Sequence, residues 1–208
     1  MNNTFPKCPE SLSKSQLETY HKQGYITFES ALDKEEVDKV KQALSDIIKS
    51  FTSKPDDWTV KEGQTEALNA GAAVTRNGSR LTFQFEAGEE INYSDPSTLE
   101  LRLRKYMWLH DEAPVLQKIY QCHARIQGIV ASILGEQSEL YQSMALVKPP
   151  KIGVDKPWHQ DNAYFATKDP DGVLGTWIAL DNSTVENGCM HFIPGGHKAG
   201  PLRHRHTH

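Results

Sequence analysis

The stretch "PWHQDNAYF", Pro157 to Phe165, places a histidine and an aspartate two residues apart behind a tryptophan. On an extended strand, side chains two apart point to the same face. His159 and Asp161 can then converge on one ion while Gln160 turns away. One imidazole and one carboxylate suit a borderline divalent metal. With a second histidine they would form the facial triad of non-haem Fe(II) sites, which leaves positions open for substrate and oxygen. Taken alone, His-x-Asp is a common spacing and weak evidence, and a partly exposed polar pair at a strand end is the plainer reading.

The chain around this stretch bounds the reading. At 208 residues, with 38% hydrophobic and 24% charged residues, it suits one domain with a sizeable core. The formal net charge is −4, so the general basic balance of a nucleic-acid binder is missing. Arg102–Lys105 reads as the solvated face of a helix. Cys8, Cys122 and Cys189 are odd in number and widely spaced, which predicts reduced thiols in a cytoplasmic protein. The first residues have no apolar core, so no signal peptide is expected. No apolar run reaches the roughly 20 residues of a membrane span. The expected partner is a small-molecule substrate, with neither nucleic acid nor membrane.

The spacing predicts a helix from Ser13 to Gln23, opened by the capping-box pair Ser13 and Gln16 and closed by Gly24. "YITF" (Tyr25–Phe28) reads as a short strand. A second helix starts near Asp33 and carries Val37, Val40, Leu44, Ile47 and Ile48 on one face. Residues 51–80 are hard to read apart from a turn at Asn77–Gly78. "LTFQFEAG" alternates at period two and predicts a strand. Residues 96–109 read as helical. A long helix is expected from Pro114 to Leu134, with Leu116, Ile119, Tyr120, His123, Ile126, Val130 and Ile133 inward and Gly135 just past its end.

After Gly135 the pattern changes. "LYQSMALVK", "KPWHQD", "LGTWIALDN" and "GCMHFIPGG" are short β-prone pieces divided by Pro, Gly, Asp and Asn, which predicts antiparallel sheet. The fold class read from this order is α+β: a single domain over 1–208, mainly helical to residue 135, with a β core from 136 onward.

Several pieces in a fixed order then carry more than the pair alone. "SMALVKPP", "PWHQDNAYF" and "GTWIALDNSTVENGCMHFIPGGHKAG", with "YHKQGYITFESALDKEEV" near the start, resemble the phytanoyl-CoA dioxygenase family of Fe(II)/2-oxoglutarate oxygenases. The resemblance is strongest from about Leu140 to Gly200, and its look is that of the phytanoyl-CoA dioxygenase domain-containing proteins. It implies a double-stranded β-helix (jelly-roll) core with N-terminal helices against one sheet. It implies His159 and Asp161 as Fe(II) ligands, with O2 and the cosubstrate 2-oxoglutarate. It places Lys105, Gln142, Met144 and Trp177 around that cosubstrate. Each has a plainer reading: Lys105 as a helix-surface lysine, Met144 and Trp177 as packing. The retained Asp161 favours hydroxylation of an unactivated C–H bond, because related halogenases lack that carboxylate.

The resemblance also marks departures. The family's turn runs Pro-Gly-Ser/Thr-His, whereas Gly196 stands in the third position here, before His197. His191, His110 and His123 read as structural. The family's second histidine ligand, and the arginine that grips the far carboxylate of 2-oxoglutarate, have no counterpart in the motif order before His208. An eight-strand core needs roughly 75–95 residues. From Leu140 to His208 there are 69. The expectation is a chain that stops short of the last strands. His204, His206 and His208 alternate in "RHRHTH" and offer a substitute third ligand, with a surface loop as the plainer reading. Two other function classes stay open: a non-catalytic binding or regulatory protein, and a zinc-dependent cupin-like metalloenzyme.

Overall fold

The computed structural model describes residues 5–61, 70–86, 92, 94–153, 155–165, 169 and 172–204. The chain divides into two compact units. One comprises Met1–Lys34, Gln121–Glu139 and Pro157–Arg205; the other comprises Glu35–Tyr120, Leu140–Lys156 and His206–His208.

The second unit holds the sheet. Helix α2 (Lys34–Ser53) starts where the capping signals predict, with Glu35 and Glu36 in its first turn complementing the helix dipole. Five antiparallel strands follow in simple sequence order: β1 (Trp58–Lys61), β2 (Ala70–Arg76), β3 (Thr82–Glu86), β4 (Leu103–Met107) and β5 (Met144–Leu146). The β2–β3 hairpin turns at Asn77–Gly78, where Gly78 takes φ +74°, a conformation open to glycine. Phe51 of α2 packs against Trp58 at 5.2 Å, Trp58 stacks on Phe83 at 4.9 Å, and Tyr106 meets Phe83 edge-on. Tyr106 also donates from its hydroxyl to the Leu44 carbonyl at 3.2 Å. Burying each such aromatic ring stabilises the unit by about 1.5–3 kcal/mol.

Residues 96–109 are not one helix. A single turn, α3 (Pro96–Glu100), capped by Asp95, gives way to β4. Leu103 and Tyr106 are almost completely buried against the core, and this burial overrides the helical propensity of "LRLRKYM". Arg102–Lys105 is therefore no helix face, and Lys105 is a strand residue. The helix expected over Pro114–Leu134 is also broken. It runs as α4 (Pro114–Gln117), a π-turn over Lys118–Cys122, and α5 (Ala124–Leu134). His123 interrupts it with extended backbone at φ −70°, ψ 118°.

The first unit is built on α1 (Lys14–Gln23) and α5. Ser13 and Gln16 form the reciprocal capping box, and Gly24 closes α1 at φ +83°. Gly128 lets the chain at Glu10 cross α5, because a Cβ there would run into the Glu10 carbonyl. Ser132 fixes the crossing by accepting from Leu12 N–H at 3.0 Å. Tyr25–Phe28 forms no strand; only an isolated parallel bridge joins Lys7 and Glu29. Of the four β-prone pieces after Gly135, only the one containing Met144–Leu146 is sheet among the described residues. The others are divided by their own turn chemistry. Thr184 and Asn187 close a capping box with Gly188 left-handed behind it, and Gly195 and Gly196 open another turn. The α+β class stands, with one antiparallel sheet and helices.

Candidate metal and cosubstrate site

His159 and Asp161 sit on a loop that leads into the short helix α6 (Asn162–Phe165), not on a strand. They converge all the same. The Asp161 carbonyl accepts from Tyr164 N–H at 2.9 Å, and this turn brings the carboxylate back toward the imidazole. His159 Nδ1 lies 2.8 Å from the Pro157 carbonyl. A carbonyl only accepts, so Nδ1 carries a hydrogen and Nε2 is the ring atom left for a metal in the neutral imidazole. Nε2 lies 3.2 Å from Asp161 Oδ1. The Tyr164 ring stands edge-on to the imidazole at 5.8 Å and 87°. The backbone at Gly175 passes Asp161 Oδ2 closely enough that a Cβ there would sit 3.7 Å away.

An imidazole nitrogen and a carboxylate oxygen this close suit a shared proton or a shared cation. The backbone-anchored Nδ1–H is the arrangement that orients a metal-binding histidine. The donor set fits a divalent metal through Nε2 and the carboxylate. No group of three His, Cys, Asp or Glu side chains able to hold a metal occurs among the described residues. His204 is not a substitute ligand in this arrangement. Its Nε2 accepts from Gln160 N–H at 2.8 Å, and its Nδ1–H donates to the Leu202 carbonyl at 2.8 Å. His206 and His208 lie outside the described residues. His197 belongs to the turn: its Nε2–H donates to the His21 carbonyl at 3.0 Å.

Gln160 does turn away from the pair, and it has its own work. Its amide donates to the Gly200 carbonyl at 2.9 Å, and its Oε1 accepts from Leu202 N–H at 2.8 Å. The residue between the two candidate ligands thus ties down the segment that carries His204. Trp177 is 46% exposed, two residues beyond Gly175.

In the other unit, Lys105 and Met144 come together on the sheet. Lys105 pairs with Leu146, and Met107 pairs with Met144, so Lys105 and Met144 are diagonal neighbours across β4 and β5. Burial, then the adjacent Arg104 guanidinium, hold the Lys105 ammonium below the usual lysine range. Tyr120 pins β5 by donating to the Met144 carbonyl at 2.9 Å; burial pushes its own phenol up to about 12. Gln142 is half-buried just ahead of β5. Between Gln142 and Met144, the completely buried Ser143 accepts from Leu109 N–H at 3.0 Å and His110 N–H at 3.1 Å. Its hydroxyl hydrogen is then directed at His110 Nδ1, 2.7 Å away. Sequence reasoning saw none of these supports, because a buried serine and a strand-end histidine carry no spacing signal.

Residues 20–208 match the family model for phytanoyl-CoA dioxygenase. The chain belongs to the phytanoyl-CoA dioxygenase family. It is 29% identical over 196 residues to a phytanoyl-CoA dioxygenase of Arabidopsis thaliana, covering 93% of this chain and 68% of that protein. It is 28% identical over 199 residues to phytanoyl-CoA dioxygenase domain-containing protein 1 of Bos taurus, covering 92% and 68%. The Caenorhabditis elegans homologue of the latter is 29% identical over 185 residues, covering 87% and 64%. No solved structure matches the chain. Membership in this family supports a dioxygenase of the iron and 2-oxoglutarate type in general, and the antiparallel sheet with helices is compatible with the family's cupin-like fold. No helix among the described residues is long and apolar enough to cross a membrane.

Proposed function

We propose that this chain is a cytoplasmic Fe(II)- and 2-oxoglutarate-dependent dioxygenase that hydroxylates an unactivated C–H bond of a small molecule. The observation that carries the reading is the His159–Asp161 geometry: Nδ1–H anchored on Pro157, and Nε2 facing a carboxylate oxygen at 3.2 Å. His159 Nε2 and Asp161 would hold the iron. When bound, iron and 2-oxoglutarate supply the oxidising chemistry: one O2 is divided between succinate, formed with CO2, and the hydroxyl of the product.

The chain's own residues do the positioning. Lys105, partly buried on β4, offers its ammonium to a carboxylate of 2-oxoglutarate, an interaction strengthened where water is scarce. Met144 and Gln142 line the same region, held in place by Ser143 and Tyr120. Trp177 supplies a wall beside the segment that passes Asp161. A double-stranded β-helix is the architecture we propose for the whole family core.

Anaerobic titration with Fe(II), then 2-oxoglutarate, tests the reading. Stoichiometric iron uptake and a weak visible charge-transfer band support it. No metal uptake favours a non-catalytic binding protein, and preference for Zn(II) without 2-oxoglutarate favours a cupin-like metalloenzyme.

A further inference from the structure

The C-terminal end of α1 is closed from outside the helix. A helix leaves its last carbonyls without donors of its own. Gly24 N–H meets the Tyr20 carbonyl at 2.7 Å. Two further carbonyls are met by a distant turn of the same unit. Gly195 N–H donates to the Gln23 carbonyl at 2.7 Å, and His197 Nε2–H donates to the His21 carbonyl at 3.0 Å. The imidazole fills the space beside Gly24, where a Cβ would stand 2.3 Å from its Nδ1. Glycine is therefore needed there twice, for its φ of +83° and for the ring that lies on it. Tyr25 stacks on Phe192 at 4.9 Å, which clasps the same two segments again.

The far side of this turn reaches the candidate ligands. Gly200 N–H closes the turn on the His197 carbonyl at 3.1 Å. The Gly200 carbonyl then accepts from the Gln160 amide at 2.9 Å, and Leu202 N–H donates to Gln160 Oε1 at 2.8 Å. Gln160 stands between His159 and Asp161, so its side chain fixes the backbone from which both extend. An unbroken series of contacts thus runs from the end of α1 through His197 and Gly200 to Gln160. The start of α1 is fixed as well, because Leu12 N–H donates to Ser132 of α5 at 3.0 Å. The turn is held on a helix that is anchored at both ends.

We propose that His197 is a positioning residue for His159 and Asp161. Its grip on the end of α1 holds the turn over 195–200, and the turn holds the two candidate ligands in place through Gln160. This rests on the reading of that pair as iron ligands, and the test separates the two. Amide exchange at Leu202 and the ring-nitrogen chemical shifts of His159 are measured by NMR on the full, metal-free chain. Fe(II) affinity is measured by anaerobic titration. His197→Ala speeds exchange at Leu202, displaces the His159 shifts and weakens iron affinity about tenfold. His197→Gln, whose side-chain amide reaches for the same carbonyl, restores most of each. Gly24→Ala pushes the imidazole off its seat and gives the His197→Ala result. Gly78→Ala carries a similar left-handed strain at φ +74° with nothing within 4 Å, and leaves all three readouts as in the parent. Unchanged Leu202 exchange or unchanged His159 shifts in His197→Ala overturn the proposal. So does the same change in Gly78→Ala, or a His197→Gln variant no better than the alanine. A parent chain that takes up no iron overturns the iron reading instead, and the two metal-free readouts still decide the role of His197.

Discussion

Nε2 of His159 stands 3.2 Å from Oδ1 of Asp161, while its Nδ1–H is committed to the carbonyl of Pro157. The ring is thus held with Nε2 aimed at the carboxylate. The residue between the two is fixed separately, which makes the intervening glutamine the first place to test the account.

Gln160→Ala removes the two side-chain hydrogen bonds to Gly200 and Leu202. Each contributes about 0.5–1.5 kcal/mol. The expected result is a loss of about 1–3 kcal/mol in urea unfolding and faster amide exchange at Leu202. Unchanged exchange at Leu202 would show that Gln160 does not tie this segment down.

Ser143→Ala leaves the N–H groups of Leu109 and His110 without their hydroxyl acceptor at a fully buried position. An unsatisfied buried polar group costs about 1–3 kcal/mol. The midpoint of chemical denaturation should fall accordingly. A variant as stable as the parent would mean that β4 and β5 are aligned without this serine.

Gly128→Ala separates two opposing effects. Alanine in a helix interior is favoured over glycine by about 1 kcal/mol. Here the new Cβ meets the Glu10 carbonyl, a backbone atom that cannot swing aside. Overpacking of this kind costs about 1–3 kcal/mol and should win. Tm is expected to fall; a rise would show that the chain at Glu10 moves freely off α5.

Lys156 sets a pH dependence. Burial first, then Arg104, Lys105 and Lys148, lower its folded-state value to about 8, against about 10.4 for an unfolded lysine. Between those values the unfolded chain binds more protons, so this group's contribution to unfolding free energy rises with pH from about 8 to about 10.4. The residue keeps solvent access, which moderates the effect. Stability curves of the parent and Lys156→Gln should converge toward the upper end of that window. Parallel curves would refute the shift.

Local signals in the sequence were legible where one residue type does one job. Ser13 with Gln16, Gly24 after α1 and Gly78 in the hairpin all sit where their chemistry predicts. The amphipathic face of α2 buries Val40, Ile47 and Ile48 as its spacing implies. Misreadings came where tertiary burial or turn chemistry overrode the local pattern. Leu103 and Tyr106 drew "LRKYM" into the sheet, and His123 broke a helix whose apolar spacing ran straight through it. The β-prone segments after Pro157 alternate like strands, yet Gln160, Asn187 and the Gly195–Gly196 turn direct their backbone groups elsewhere. For the candidate site, the His159–Asp161 pair was visible in the motif and converges without the strand expected to align it. Ser143, Gln160 and Lys156 act through distant partners, which spacing along the chain cannot reveal.

The most direct test of the central claim is an anaerobic Fe(II) titration of the full chain in the presence of 2-oxoglutarate, followed by visible absorption, beside Asp161→Ala. The account predicts one iron per chain with a charge-transfer band in the parent. In the variant it predicts iron affinity at least about tenfold weaker, with the folded circular-dichroism spectrum retained. Equal iron binding and an equal band in Asp161→Ala would contradict it.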